Sequence, residues 1–330
     1  MKSFSSPKAN TTVVGRPMSS REHYQQTYYE LKELAQAGSS TIYLAVSKRA
    51  FEAVRAQQGT KQQLEARIRQ KIVVIKVPRA GIQSLAGASN DLRIEIQALT
   101  SKIFQKYHGI VEAIEHYDDK ERDIVWLAMP YIPGEAVRNI RIHHPKALSQ
   151  KLIWHIMCQV LEALRFMAFG PRGTSDTSST VEWRPVSHGD LHNFSVLLTP
   201  RKPFALPDTV MIDFGCSVSG VDEKGNYSPI LRDLTMLGDF LGDLIDFSES
   251  PDLATKSHEL QLRNFIEDLG EAEAAETNPS TEELLALFDK LISSASAGRD
   301  NAKQDSPDSS LTNTMFDDVR SRVDLDELLS

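Results

Sequence analysis

Two short apolar runs, Phe194 to Leu198 and Thr209 to Asp213, set the tightest limit on what this chain can become. A Pro-containing turn separates them, Asp190 stands just ahead of the first, and Asp213 closes the second. The full segments are Val186-Ser187-His188-Gly189-Asp190-Leu191-His192-Asn193-Phe194-Ser195-Val196-Leu197-Leu198 and Val210-Met211-Ile212-Asp213-Phe214-Gly215. Runs of this length bounded by turn residues read as paired strands. A hairpin built from them anchors the backbone beside each aspartate and can turn both carboxylates toward one cavity. One Asp between apolar residues is ordinarily a turn or a cap. Two facing one space suit a divalent cation and a proton acceptor next to a phosphate.

The chain has 330 residues, 41% of them hydrophobic and 25% charged. That is enough for two domains, or one large bipartite one, with a substantial core. With 37 Lys and Arg against 45 Asp and Glu the net charge is −8, which argues against a nucleic-acid partner. There is no run of 18 apolar residues, so no membrane association is expected. The N-terminal stretch lacks the apolar core of a secretory signal. Cys158 and Cys216 form no disulfide framework, which points to a reducing compartment, cytoplasmic or nuclear.

Residues 1–25, rich in Ser, Thr, Pro and Lys, read as a flexible arm. Ordered structure is expected to begin near Tyr28, with strands over Thr41 to Val46 and over the β-branched Lys71 to Val77. Ala50 to Arg69 is polar and helix-forming, an insertion or a long hairpin excursion between strands. Leu92, Ile96, Leu99 and Ile103 make an apolar stripe that predicts a helix over 91–104, with Ser89 or Asn90 as its cap. Further strands are expected over Val111 to His116 and Ile124 to Met129. A long helix follows over 149–169, then a polar loop over 170–185. Helices are predicted over 231–247, 256–269 and 281–293, the last opened by the Ser280 and Glu283 capping box. Residues 294–330 read as a disordered acidic tail, with a mixed acidic and apolar stretch, Leu311 to Leu329, that could dock on a partner. Strands around one helix followed by a mostly helical half make an α+β protein.

At this point the chain resembles the protein-kinase-like superfamily. His188-Gly189-Asp190-Leu191 is similar to the H-R-D-L catalytic loop, Asp213-Phe214-Gly215 to D-F-G, and Val74-Ile75-Lys76 to V-A-I-K. Leu127-Ala128-Met129-Pro130-Tyr131-Ile132-Pro133-Gly134 resembles the hinge between lobes, and Asp233 the start of the helix supporting the catalytic loop. The resemblance spans residues 28–293. It implies a two-lobed fold, with a small β-rich N-lobe carrying one helix over 26–130 and a mainly helical C-lobe over 131–293. It implies ATP and Mg2+ as cofactors: Ala37 and Gly38 over the phosphates, and Met129, Pro130 and Ile132 beside the adenine. Lys76 would hold the α- and β-phosphates, Glu95 would pair with Lys76, Asp190 would take the acceptor's proton, and Asp213 and Ser195 would hold metal.

The departures from the pattern are specific. Ala35, Ala37 and Ser40 stand where glycines belong, and Ser195 stands where the loop has its metal-binding Asn. Gly189 replaces Arg, and only 17 residues separate Gly215 from Asp233, with no A-P-E among them. H-G-D-L-H is also the form found in aminoglycoside and choline phosphotransferases. Three functions therefore stay open: a kinase of protein Ser/Thr hydroxyls, a kinase of small-molecule hydroxyls, and a pseudokinase that binds nucleotide or serves as a scaffold. His188 and His192 also have a metal-like spacing, but no H-E-x-x-H surrounds them.

Overall fold

The computed structural model describes residues 18–79, 85–101, 104, 107–143, 148–171, 183–200, 206–245, 264, 265, 267, 279–302 and 323–329. Five antiparallel strands form one sheet: β1 (Tyr28–Ala37), β2 (Ser40–Ser47), β3 (Ile72–Pro78), β4 (Glu115–Asp119) and β5 (Ile124–Pro130). Their order is β1-β2-β3-β5-β4. The β1–β2 hairpin turns on Gly38 and Ser39, and Gly38 takes a φ of +50°, a conformation open to glycine. Alternation sorts the side chains to two faces. Tyr43, Ala45, Ile75, Val77, Trp126 and Ala128 lie on one face, packed with Tyr24 and Tyr28. Leu44, Val46 and Ile72 lie on the other, under Phe51 and Val54 of α2 (Lys48–Arg55) and Ile68 of α3 (Lys61–Arg69).

The polar insertion between β2 and β3 is thus two helices. Each is capped, α2 by Ser47 and α3 by Thr60, and each presents its few apolar residues to the sheet. Preceding them is α1 (Ser20–Tyr24), closed by a Ser19–Glu22 capping box. Its Tyr24 is fully buried, and the His23 ring stacks 3.9 Å from Tyr117 and accepts the Trp126 Nε1–H at 3.0 Å. Ser20–Tyr24, expected within a flexible arm, are helical instead, and residues 1–17 lie outside the described residues.

The larger core gathers around α6 (Gln150–Phe169), capped by Ser149, whose Oγ accepts from the Leu152 N–H. Leu152, Ile156, Val160, Ala163 and Met167 are buried as the stripe predicts, and so are Ile153, Trp154, Met157 and Leu164 on flanking faces. A helix apolar nearly all round belongs inside a core. Among the described residues it is the one helix long and apolar enough to cross a membrane, and most of it is buried. It packs against α7 (Ser228–Ile245), α8 (Thr281–Asn301) and β9 (Asp208–Met211). β9 pairs with β8 (Val196–Thr199), and β8 with β6 (Glu135–Ala136), which precedes α5 (Val137–His143). The two apolar runs thus form paired strands. A second small pair joins β7 (Val186–Ser187) to β10 (Val218–Ser219). Antiparallel sheets with segregated helices make the chain α+β.

Several boundaries differ from expectation. Helix α4 runs Leu85–Leu99, not 91–104. Ser89 is no cap: it lies buried inside the helix and its Oγ donates to Asp123 at 3.2 Å. Val111 is not in β4; its N–H donates to Met211, so the apolar stretch at 110–111 joins the β9 end of the helical core. β4 itself is the polar sequence Glu-His-Tyr-Asp-Asp, tolerated because it is the sheet's edge. Helix α7 begins at Ser228, which puts Asp233 inside it. Of the helix expected over 256–269, only Asn264, Phe265 and Glu267 are described, all helical, and of the 170–185 loop, residues 172–182 lie outside the described residues. Of the tail expected to be disordered, residues 303–322 lie outside the described residues, and the described ends are ordered. α8 continues to Asn301, while Val323 and Leu325 are buried and lead into α9 (Asp326–Leu329).

Candidate active site

Three charged side chains from distant parts of the chain meet against the face of the sheet's central strand, β3. Lys76 Nζ lies 2.6 Å from Glu95 Oε2 and 2.6 Å from Asp213 Oδ1, partners 19 and 137 residues away in sequence. Lys76 points from β3 toward α4 because Ile75 and Val77 face the opposite side of the sheet. Glu95 is presented by α4, which Leu92, Ile96 and Leu99 hold to the core. Glu95 is fully buried, Lys76 nearly so, and the Asp213 side chain is 44% exposed.

Burial works against the Lys76 charge, yet Glu95 and Asp213 outweigh it and hold the ammonium well above its usual pKa. Burial pushes Glu95 upward, opposed by Lys76. At Asp213 burial is outweighed by Lys76, which holds that carboxyl below its ordinary range. Glu95 Oε1 has no hydrogen-bond partner among the described residues, so this buried carboxylate depends heavily on Lys76.

Beyond β9 the backbone is constrained. Asp213 has a φ of +68°, a left-handed conformation that a non-glycine residue keeps only when its surroundings impose it. Those surroundings are visible: Phe214 is fully buried, its ring 4.8 Å from that of His188 and 6.0 Å from that of Phe104. His188 Nδ1 accepts the Asp190 N–H at 3.3 Å, so its proton sits on Nε2, which donates to the Ile212 carbonyl at 3.0 Å. Burial lowers the His188 pKa and keeps the ring neutral. Beneath it, Asp233 accepts from the His188 N–H at 2.7 Å and the Gly189 N–H at 2.9 Å. A Cβ at Gly189, whose φ is +78°, would fall 2.2 Å from the Cys216 carbonyl oxygen. Glycine here is a requirement of close backbone approach.

Asp190, carried by this loop, has a side chain 52% exposed. His192 Nδ1 accepts the Phe194 and Ser195 N–H groups at 3.2 Å each, which leaves the proton on Nε2, 3.6 Å from Asp190 Oδ2. Motif reading did not pair His192 with Asp190, although the two stand only two residues apart. The carboxylates of Asp190 and Asp213 both act on exposed Cys216, whose thiol is pushed up by burial and by these charges.

The Ser195 hydroxyl is turned into its own loop. Its Oγ accepts the His192 N–H at 2.9 Å and donates to the His192 carbonyl at 2.8 Å, inside the loop and 1% exposed. Nearby, Asn193 Nδ2 donates to Asp243 at 2.9 Å. Among the described residues no three metal-binding side chains converge. A half-exposed Asp213 still fits Mg2+, which is commonly held by one carboxylate with phosphate oxygens and water.

Met129 and Pro130 end β5, and Ile132 follows two residues later. Met129 is buried opposite Val74, and Pro130 lies opposite Val73. The Ile132 N–H makes no hydrogen bond among the described residues. Ala37 and Gly38 are exposed at the end of a tight hairpin, where Ser39 accepts the Arg79 N–H at 2.8 Å. No described contact joins them to the Lys76 cluster. No protein-family model matches the chain, and no curated protein matches its sequence.

Proposed function

We propose that the chain is an ATP-dependent phosphotransferase with the two-lobed protein-kinase-like arrangement, its acceptor the hydroxyl of a protein Ser or Thr. The observation that carries this reading is the Lys76 ammonium bridging Glu95 and Asp213, with Asp190 on the adjoining loop. Phosphoryl transfer asks a protein mainly for positioning and charge stabilisation. Lys76 has three N–H donors; two serve the carboxylates and the third is available to a phosphate oxygen. Glu95 fixes the direction of that ammonium. Asp213 is the group that would hold Mg2+, which when bound offsets phosphate charge. Asp190 orients the acceptor hydroxyl and takes its proton, while His192 Nε2–H steadies the carboxylate. Neutral His188 and buried Asp233 hold the loop that carries Asp190.

The test is a thermal shift with ATP, with and without Mg2+, followed by transfer assays. Ligand at 100 times its dissociation constant adds about 2.7 kcal/mol to stability. Transfer should vanish in Asp190→Ala while the ATP shift survives. No shift under either condition defeats the reading. Transfer to sugars or amino alcohols and not to proteins would reassign the acceptor.

A second reading rests on Ser195. With its hydroxyl spent on the His192 backbone, the loop offers no second metal ligand at that position. A pseudokinase that binds nucleotide without transferring phosphate is consistent with this. It predicts an ATP shift with no transfer to any hydroxyl.

A further inference from the structure

The sheet face that carries Lys76 continues along the strands as Val74 and Ile72 on β3, opposite Leu44 and Val46 on β2. A nucleotide with phosphates at Lys76 and its base at Pro130 to Ile132 would lie along this face. Part of it is already covered. Val323 and Leu325, 3% and 2% exposed, pack into one cluster with Leu44, Val46, Ile72, Phe51 and Ile68. Val74 and the hinge residue Tyr131 lean on the same cluster, as do Leu328 and Leu329.

The contact is specific as well as apolar. Arg69 Nη1 donates to the Val323 carbonyl at 3.0 Å, and Lys61 Nζ lies 2.8 Å from Asp326. Charge agrees with it. Residues 48–71 hold seven Lys or Arg and two Glu in a chain of net charge −8, whereas 323–329 hold three acidic residues and no basic one. An exposed ion pair adds little affinity, but opposite net charges favour one register and partner.

We propose that the groove between the β2–β3 face and helices α2 and α3 is a docking site for the chain's own C-terminal segment, and that the docked segment competes with nucleotide for the base end of the cleft. The competition rests on the phosphotransferase reading; the docking does not. A site competent for only a fraction of the time binds with its affinity reduced by that fraction. A segment docked nine-tenths of the time therefore weakens ATP binding about tenfold.

The test uses full-length chains, the wild type and a Val323→Asp/Leu325→Asp variant. A labelled peptide of residues 320–330 should bind the variant and not the wild type, whose groove is filled. ATP with Mg2+ should bind the variant about tenfold more tightly by calorimetry, and added peptide should reverse the gain. Lys61→Glu, an exposed change that leaves the core intact, should shift ATP affinity in the same direction. Adding Asp326→Lys to it should restore the wild-type value. Failure of the peptide to bind the folded variant overturns the docking site. Equal ATP affinity in the two chains overturns the competition. If neither chain binds ATP, the phosphotransferase reading and the competition fall together, while the peptide result decides the docking site.

Discussion

Replacing Lys76 by Met leaves Glu95 with no compensating charge in a fully buried position. Removing one member of a buried ion pair typically costs about 3–5 kcal/mol. Glu95 can limit that loss by taking up a proton. For a carboxyl of ordinary pKa about 4.3, protonation costs about 3.7 kcal/mol at pH 7 and about 1 kcal/mol at pH 5. Burial already pushes Glu95 upward, and without Lys76 nothing opposes that push except its remaining hydrogen bonding. The folded variant then holds a proton that its unfolded chain has released at neutral pH, so its stability falls as pH rises. Urea unfolding should therefore show Lys76→Met destabilised by about 3–4 kcal/mol at pH 7 and by about 1 kcal/mol at pH 5. Lys76→Met/Glu95→Gln should lose the pH dependence. A loss below about 1 kcal/mol at pH 7, or the same loss at both pH values, would show that Lys76 and Glu95 are not a buried pair.

Three further outcomes follow from the loop that carries Asp190. Ser195→Ala removes both bonds to the His192 backbone and should cost about 1–3 kcal/mol in urea unfolding, with the Mg2+ dependence of ATP binding unchanged; a changed Mg2+ dependence at full stability would return Ser195 to the metal. Gly189→Ala must accept a left-handed φ and a clash with Cys216 O, so it should lose at least about 1–3 kcal/mol, and a melting temperature equal to the wild type would contradict the backbone contact. Asp233→Asn keeps one acceptor oxygen for two N–H groups and should cost about 1–3 kcal/mol, seen as faster amide exchange at His188 and Gly189; unchanged exchange there would refute the role.

Much of the site was legible because its residues sit in strongly patterned segments. The β-branched run around Lys76 can only be a strand, and the stripe of Leu92, Ile96 and Leu99 turns Glu95's helix onto the core. Ser149 and Ser280 marked helix starts that the structure keeps. What escaped was decided by distant partners. Ser89 has cap chemistry, but its hydroxyl is satisfied by Asp123, 34 residues away, so the helix runs through it. The hydroxyl of Ser195 bonds the His192 backbone three residues earlier, a turn that the motif alone does not show. The α1 turn is too short to show a period, and only Tyr24's burial against the sheet reveals it. Val323 and Leu325 are two apolar residues in an acidic stretch. Their burial depends on a groove assembled some 250 residues earlier in the chain.

The most direct measurement is to react the protein with a lysine-acylating ATP analogue and map the modified peptides. Lys76 should be the principal site, with labelling suppressed by excess ATP and lost in Glu95→Gln, where the ammonium is no longer held in place. Labelling spread over the exposed lysines, insensitive to ATP, would mean that no triphosphate is bound beside Lys76.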